Sequence, residues 1–253
     1  MIIVLLFFGI RSAEAGLLEE KILKVQQVLK VSIVITEEAG SFWEGLTYDV
    51  LNDTSQAIHY IDLLEQEYSK YPIGYLNKIN LKRIVLTQKL TLNKQKRAAI
   101  PDPYIGSLFL SIEPPENQAK YPHYLTHVLH HELHHYAEFS YWKSMSYHWE
   151  AWENTNETSF EYRGGGEKAY ESLNIDWYHL SDKKVGFMNL YSTTAEEEDR
   201  AELVALIMED HERVLLKQRL VNDFALQQKV LLIQFLLSEI SGTEKGYWNM
   251  VLD

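Results

Sequence analysis

The hydrophobic pattern in the first half of the chain predicts two strands separated by a helix. Segments rich in β-branched residues, typical of strands, occupy residues 30–35 (KVSIVI) and 82–90 (KRIVLTQKL). Between them, apolar residues recur three or four positions apart, which is the spacing of an amphipathic helix. This helix has an N-cap candidate in Thr54 and ends before Pro72. Its apolar positions are Ile58, Ile61, Leu64 and Tyr68.

The rest of the chain adds a further strand and then a series of helices. Residues 107–113 (SLFLSIE) predict a strand that ends at a pair of prolines. It could be an edge strand that binds an extended peptide or an internal core strand. Helical spacing follows over residues 122–142, 195–213 and 216–240. We therefore expect an α+β fold, with a small mixed sheet in the first half and a mostly helical second half.

Composition bears on the domain organisation. The chain has 253 residues, of which 46% are hydrophobic, and this is enough to bury a substantial core. It contains no repeat, no low-complexity tract and no long Pro/Gly/Ser linker. We therefore expect residues 16–253 to form a single domain, with a sheet-containing half over residues 16–143 and a helical half over residues 144–253.

The first fifteen residues have the pattern of a secretory signal peptide. A nine-residue apolar run over residues 2–10 precedes Ala13 and Ala15, which have the A-x-A spacing of a cleavage signal before Gly16. The run is too short to cross a bilayer. Residues 1–15 therefore predict export, and the alternative is a buried first strand or helix.

Charge and cysteine content exclude several classes of protein. The chain has 36 acidic and 24 basic residues, and its formal charge of −12 disfavours binding to nucleic acid or to an anionic membrane surface. It has no cysteine, so it is not a disulfide scaffold and lacks the lipid-bearing cysteine of a bacterial lipoprotein. We expect no nucleic-acid partner and no membrane anchor.

Five of the ten histidines lie within residues 126–139 (THVLHHELHHYAEF). Residues four apart share one face of a helix, so His131 and His135 present both imidazoles to one ion. The pairs His123/His127, His127/His131 and His130/His134 have the same spacing. Glu132 distinguishes the pair His131/His135 from the others, because it completes the H-E-x-x-H pattern. In this pattern the two histidines are zinc ligands and the carboxylate can reach a water molecule on the metal.

Two simpler interpretations of this helix stay open. It could be a surface metal buffer, or a packed helix whose histidines bind their neighbours. A distant carboxylate ligand distinguishes the zinc site from both. Glu198 and Glu202, one turn apart, are the candidates, although acidic residues are also common in the first turn of a helix because they stabilise the helix dipole.

Two further segments resemble a known family. Residues 186–202 (GFMNLYSTTAEEEDRAE) resemble the G-F-x-x-x-Y and E-D-x-A-E segment of the zinc-binding metallopeptidases of the gluzincin type. Residues 152–166 (WENTNETSFEYRGGG) are similar to the W-x-x-x-N, F-x-Y and Gly segment between the two zinc motifs of that group. The spacing from tyrosine to glutamate also recurs in the catalytic domain of anthrax lethal factor. Two departures are Arg200, where the family usually has an aromatic residue, and the absence of a lipid-bearing cysteine.

The resemblance implies a zincin-like fold and assigns a role to each site residue. Glu198 is the third ligand of one catalytic Zn²⁺ beside His131 and His135, and Glu202 is a carboxylate that orients a ligand histidine. The hydroxyl of Tyr191 faces the scissile carbonyl in this family. The alternative is that Tyr191 is an aromatic residue of the core, which the sequence alone does not distinguish. The substrate is then a peptide or protein.

In this interpretation Glu132 is the general base of a zinc-activated water. The family is found largely in exported bacterial proteins, so the resemblance also implies a periplasmic or secreted location. The competing interpretations are a non-catalytic zinc-binding or histidine-rich protein and a zinc hydrolase that acts on a non-peptide bond.

The other residues of these segments are expected to have ordinary roles. His127, His130 and His134 are interpreted as bystanders, with His127 exposed or capping the helix, and the alternative for His127 is a contact with substrate. Residues 164–166 are interpreted as a loop with positive φ angles, and the alternative is a close approach of their backbone to substrate.

Overall fold

A computed structural model of the chain describes residues 2–35, 37–51, 55–113, 121–171, 175–181, 184–244 and 246–248. Its internal contacts divide the chain into two compact units, residues 1–125 and 126–253. This division lies before the boundary near residue 143 that the sequence predicted between the two halves. The single domain over residues 16–253 stays a prediction.

The first unit contains the sheet. In the described residues its elements are α1 (Ile2–Leu29), β1 (Ser32–Val34), β2 (Leu46–Asp49), α2 (Ser55–Tyr68), α3 (Tyr75–Lys78), β3 (Arg83–Leu92), β4 (Gln95–Lys96), β5 (Ala99–Asp102) and β6 (Ser107–Ser111). The strand order is β1-β3-β6-β5, and β2 and β4 also pair with β3. β1 and β6 run parallel to β3, whereas β5 is antiparallel to β6. The predicted mixed sheet in the first half is confirmed.

The centre of this sheet is built from the longest apolar strands. Phe109 on β6 pairs with Val85 on β3 and with Ile100 on β5, and the three side chains form one buried cluster with Leu90. Every residue of β6 is buried, and the strand is paired along both edges, with β3 and with β5. β6 is therefore an internal strand, and its interpretation as a peptide-binding edge strand is wrong.

The two long helices of the first unit pack against each other. The predicted apolar face of α2 is largely buried, at Ile61, Leu64 and Tyr68, whereas Ile58 is half-buried.

α1 runs from residue 2, through the predicted signal segment, to Leu29 without a break. Export through residues 1–15 stays a prediction. Within the described part of the chain, no helix has both the length and the apolar character needed to span a membrane.

The second unit is helical. Its α-helices, with α4 beginning just before the unit boundary, are α4 (Tyr124–Trp142), α5 (Glu150–Glu153), α6 (Glu196–Met208), α7 (Asp210–Leu220) and α8 (Phe224–Ser241). Among the described residues between α5 and α6 are two short 3-10 helices, Gly166–Glu171 and Tyr191–Thr193. The α+β class and the mostly helical second half are confirmed.

The boundaries of the last three helices differ from the prediction. The helix predicted over residues 195–213 ends at Met208, because Glu209 has an extended backbone and its side chain accepts hydrogen bonds from the backbone N–H groups of His211 and Glu212. Asp223 caps α8 in the same way through Leu226. Side-chain caps thus start new helices inside segments whose apolar spacing is continuous.

Candidate metal centre

Helix α4 places the two histidines of the H-E-x-x-H pattern side by side. His131 and His135 are both buried, and their Nε2 atoms are 3.0 Å apart. Apolar side chains elsewhere on the helix are completely buried and fix its orientation: Leu129, Leu133, Tyr136 and Ala137. Both imidazoles therefore turn a nitrogen towards one shared position.

Helix α6 brings the third predicted ligand to the same position. Oε2 of Glu198 lies 3.1 Å from Nε2 of His131 and 3.2 Å from Nε2 of His135. Glu198 belongs to the acidic first turn of α6, whose N-cap residue Ala195 provides no side-chain cap. The three side chains form a group that could hold a metal ion.

Three atoms this close cannot all be satisfied by hydrogen bonds to one another. Each contact needs a proton between its two atoms, and protons on both Nε2 atoms would face each other across 3.0 Å. A bound cation removes the conflict, because all three atoms then present lone pairs. Ligands of a tetrahedral zinc ion with bonds of about 2.0–2.1 Å lie about 3.3 Å apart. The two histidines and the glutamate therefore fit zinc in donor chemistry and in spacing.

The electrostatics of the site also favour a cation. Burial raises the pKa of Glu198, but the opposite effect of His135 and His131 is larger. The pKa of Glu198 is therefore well below its usual range. Burial lowers the pKa of His131, but Glu198 and Glu202 raise it to about 10. This negative surrounding favours positive charge on the ligands, and a divalent cation can supply that charge in place of protons.

Glu202 lies one turn beyond Glu198 and contacts the other ring nitrogen of His131. Its Oε1 is 2.9 Å from Nδ1 of His131, within ion-pair distance, and 3.0 Å from Nε2 of His127. Its Oε2 accepts a hydrogen bond from Nδ2 of Asn189. A carboxylate in this position fixes the ring of a metal-ligating histidine. The contact of Asn189 with Glu202 was not predicted from the sequence.

Glu132 follows His131 on α4 and is half-buried, whereas its neighbours His131 and Leu133 are buried. Burial lowers the pKa of His135, but Glu198 and, more weakly, Glu132 raise it, and the net shift is upward. The Glu132 carboxylate is therefore close enough to His135 to affect its pKa.

Tyr191 is both a core aromatic and a neighbour of the ligands. Its ring is buried against Trp177 and Tyr178, and its backbone N–H donates to the carbonyl of Trp177 at 3.0 Å. The ring centre lies 5.9 Å from that of His131. The two interpretations of Tyr191 are thus compatible, because one side of the ring packs in the core while the other approaches the candidate site.

The glycine loop lies against the same group. Gly164 and Gly165 have φ angles of 93° and 129°, as expected for this loop, and the N–H of Gly165 donates to the carbonyl of Thr194 at 2.9 Å. The same expectation is wrong for Gly166, which begins a 3-10 helix and has no positive φ angle. A Cβ atom at Gly166 would lie only 2.2 Å from Oε1 of Glu198 and 2.7 Å from the hydroxyl of Tyr191. The sequence did not reveal this close approach of Gly166, which only a residue without a side chain permits.

The remaining histidines of α4 are buried. His134 contacts Oε1 of Glu138 through Nε2 at 3.0 Å, and His130 is completely buried. His127 is also buried, with Nδ1 2.6 Å from Oε2 of Glu212 on α7. The expectation that His127 is exposed or caps the helix is therefore wrong.

Arg200, the departure from the family pattern, forms an ion pair between α4 and α6. It is completely buried, and its Nε and Nη2 atoms donate to the two oxygens of Glu138. Nη1 donates to Glu196 at 2.6 Å, and the guanidinium lies 5.1 Å from the ring centre of Trp142. A buried fork of this kind needs a planar cation with several donors. The departure thus has a structural role of its own.

Residues of the two family-like segments meet around Asp199. Its Oδ2 accepts hydrogen bonds from Nε1 of Trp152 at 3.0 Å and from the hydroxyl of Tyr162 at 2.8 Å. Lys229 on α8 donates to the same oxygen at 2.7 Å and lies 3.6 Å from the ring centre of Phe187. This buried network anchors the residue that follows Glu198. The sequence indicated its aromatic members but not Lys229.

Comparison with known proteins gives one informative likeness. No protein-family model matches the chain, and no curated protein matches it. The fold is similar to the 2.10 Å crystal structure of a "putative zinc-binding metallo-peptidase" from Bacteroides caccae ATCC 43185, with a TM-score of 0.57 and 12% sequence identity. The likeness covers 95% of this chain and 91% of that chain. The chain therefore has the fold of that protein, and it carries His and Glu groups that could hold a metal ion.

Proposed function

We propose that the chain is a zinc-dependent peptidase in which His131, His135 and Glu198 hold one catalytic Zn²⁺. The observation that carries the proposal is the convergence of three donor atoms within 3.0–3.2 Å of one another. The fold likeness to a protein described as zinc-binding and as a metallo-peptidase supports the same assignment.

Bound zinc would act as a Lewis acid that polarises the scissile carbonyl and lowers the pKa of water. The chain supplies the proton transfers. Glu132 takes the proton of the attacking water and delivers it to the leaving amine. The Tyr191 hydroxyl donates a hydrogen bond to the carbonyl oxygen as negative charge develops there. Glu202 holds the ring of His131 so that Nε2 faces the centre.

The export of the protein is part of this proposal. Residues 1–15 would be removed, and the mature chain would begin at Gly16 in a periplasmic or secreted location. The substrate is then an extracellular or periplasmic peptide or protein.

The test is metal analysis of the mature protein combined with digestion of a peptide library. We expect one zinc per chain, and Glu132→Gln should keep this zinc and abolish cleavage. Glu150→Gln, an exposed carboxylate on α5, is the control and should cleave normally. Zinc binding without cleavage of any peptide would favour a non-catalytic zinc protein or a hydrolase of non-peptide bonds.

A further inference from the structure

The contacts of the candidate centre continue beyond Glu202 to a third helix. His127 lies with Nε2 3.0 Å from Oε1 of Glu202 and with Nδ1 2.6 Å from Oε2 of Glu212. His127 is 5% exposed, and the side chain of Glu212 is 15% exposed. A continuous line of contacts therefore runs from Glu212 through His127 and Glu202 to the ligand His131.

His127 is fixed at both ends of its ring. Each ring nitrogen lies within hydrogen-bond distance of a carboxylate oxygen, Nδ1 of Glu212 and Nε2 of Glu202. Burial lowers the pKa of His127, but Glu212 and Glu202 raise it, and the result is well above its ordinary value. His127 thus lies buried between two carboxylates that favour positive charge on its ring.

Glu202 has little freedom to leave His131. Its Oε1 is shared by His127 and His131, and its Oε2 is occupied by Asn189. Glu212 is anchored in turn, because its backbone N–H donates to Oε2 of Glu209 at 2.7 Å, in the cap of α7. The first turn of α7 therefore holds one end of the line and the metal ligand is at the other.

We propose that His127 and Glu212 are positioning residues of the metal centre, which set its zinc affinity by holding Glu202 against His131. The proposal rests on the zinc centre described above and extends it to α7. A carboxylate behind a ligand histidine orients the ring and increases its basicity. Loss of the support behind that carboxylate should weaken zinc binding although neither residue touches the metal.

The test measures the zinc dissociation constant of metal-stripped protein by competition with a chelator at fixed pH. The variants are Glu212→Gln, His127→Gln and the double variant. Asp210→Asn is the matched control, because Asp210 is also an acidic residue of the first turn of α7 but is exposed and pairs with Arg213. Urea unfolding of the metal-free proteins is measured in parallel.

We expect each single variant to raise the dissociation constant by about tenfold, the scale for residues behind a metal ligand. The double variant should resemble His127→Gln alone, since Glu212 acts through His127. Asp210→Asn should bind zinc like the wild type. If His127→Gln does not fold, the conservative Glu212→Gln decides the question.

Wild-type zinc affinity in Glu212→Gln and His127→Gln would overturn the proposal. So would a double variant about a hundredfold weaker, because independent effects multiply. A merely structural pair would lower the stability of the metal-free protein and leave the dissociation constant unchanged. Wild-type protein that binds zinc but cleaves no peptide would contradict the peptidase and leave this inference intact, whereas a chain that binds no zinc overturns both.

Discussion

At the scale of single residues, a glycine limits where the candidate ligand can lie. A Cβ at residue 166 would meet Oε1 of Glu198 and the hydroxyl of Tyr191 well inside van der Waals distance. The backbone there cannot yield easily, because the N–H of the adjacent Gly165 is bonded to Thr194. The end of the Glu198 side chain is the part that can move, and movement would take it away from the histidines.

Gly166→Ala should therefore weaken zinc binding by about tenfold or more, the scale for disturbed metal sites. The measurement is chelator competition on metal-stripped protein. Gly164→Ala is the control, since nothing lies within 4 Å of an added Cβ there although the φ of 93° is strained. It should cost about 1 kcal/mol of stability and spare zinc affinity. Equal zinc affinities in Gly166→Ala and the wild type would show that Glu198 is not confined by this loop.

The catalytic role proposed for Tyr191 can be distinguished from a packing role by kinetics. A hydroxyl that binds the developing oxyanion stabilises the transition state alone, so Tyr191→Phe should lower kcat and kcat/KM together, by about 10²-fold to 10³-fold, with zinc retained. Tyr178→Phe removes a hydroxyl from the same aromatic cluster and should leave activity intact. A stable and fully active Tyr191→Phe variant would limit Tyr191 to the core.

The sequence predicted the local part of the candidate site better than the distant part. Helix spacing pairs His131 with His135 without knowledge of the fold, because both lie on one helix. Glu198 and Glu202 needed a family resemblance, since nothing in α6 alone shows which helix it faces. The contact of His127 with Glu212 joins residues 85 positions apart, and neither residue type nor spacing signals such a pair.

At the scale of elements, the geometry of the centre depends on how α4 and α6 are held together. Glu138 and Arg200 form a two-point contact between these helices, three residues after His135 and two after Glu198. Burial raises the pKa of Glu138, but Arg200 and His134 lower it from 4.5 to about 2. The ionised pair is therefore strongly preferred in the folded state.

Glu138→Gln should destabilise the protein by about 3 kcal/mol near neutral pH, because it leaves the Arg200 guanidinium buried without its charge partner. Since the folded-state pKa of Glu138 is lowered, this contribution is present above pH 4.5 and is lost as the pH falls towards 2. Urea unfolding should thus show a difference from the wild type that shrinks in acid. Glu153→Gln, an exposed carboxylate on α5, should change stability by less than about 0.5 kcal/mol. A pH-independent difference would argue against the ion pair.

The predicted elements succeeded where a long apolar pattern determines the structure and failed where a local polar contact does. β3, β6, α2 and α4 all follow such patterns. β5 was not predicted, since Pro101 is unusual inside a strand. The sequence did not predict the break between α6 and α7, because Glu209 lies in an acidic segment with helical apolar spacing. Only the structure shows that its side chain caps α7.

At the scale of the whole molecule, the fold tolerates wide change in sequence, whereas a zinc centre needs a metal-binding side chain at each ligand position. Identity of 12% over 95% of the chain accompanies a TM-score of 0.57 with the Bacteroides caccae structure. Layers of apolar residues can be exchanged for one another if volume and pattern persist. The three proposed ligands can be replaced only by other metal-binding side chains, and all of them lie in the second unit.

Zinc should therefore stabilise the folded protein through these few residues. A ligand at a thousandfold excess over its dissociation constant adds about 4 kcal/mol to the stability of the state that binds it. For a protein of this size, that corresponds to a rise in Tm of roughly 10 °C. We expect this rise in differential scanning fluorimetry of the metal-stripped protein on addition of zinc, and its reversal by a chelator.

Two neighbouring carboxylates on α6 make this test specific. Glu198→Ala removes a proposed ligand, so zinc should no longer raise its Tm, and about tenfold or more of the zinc affinity should be lost. Glu197→Ala removes an equally half-buried acidic residue from the same first turn, and it should keep the full rise. The helix dipole acts on both residues alike and is worth under about 1 kcal/mol each. If zinc raises the Tm of both variants equally, the glutamates of α6 serve the helix and the ion is held by other residues.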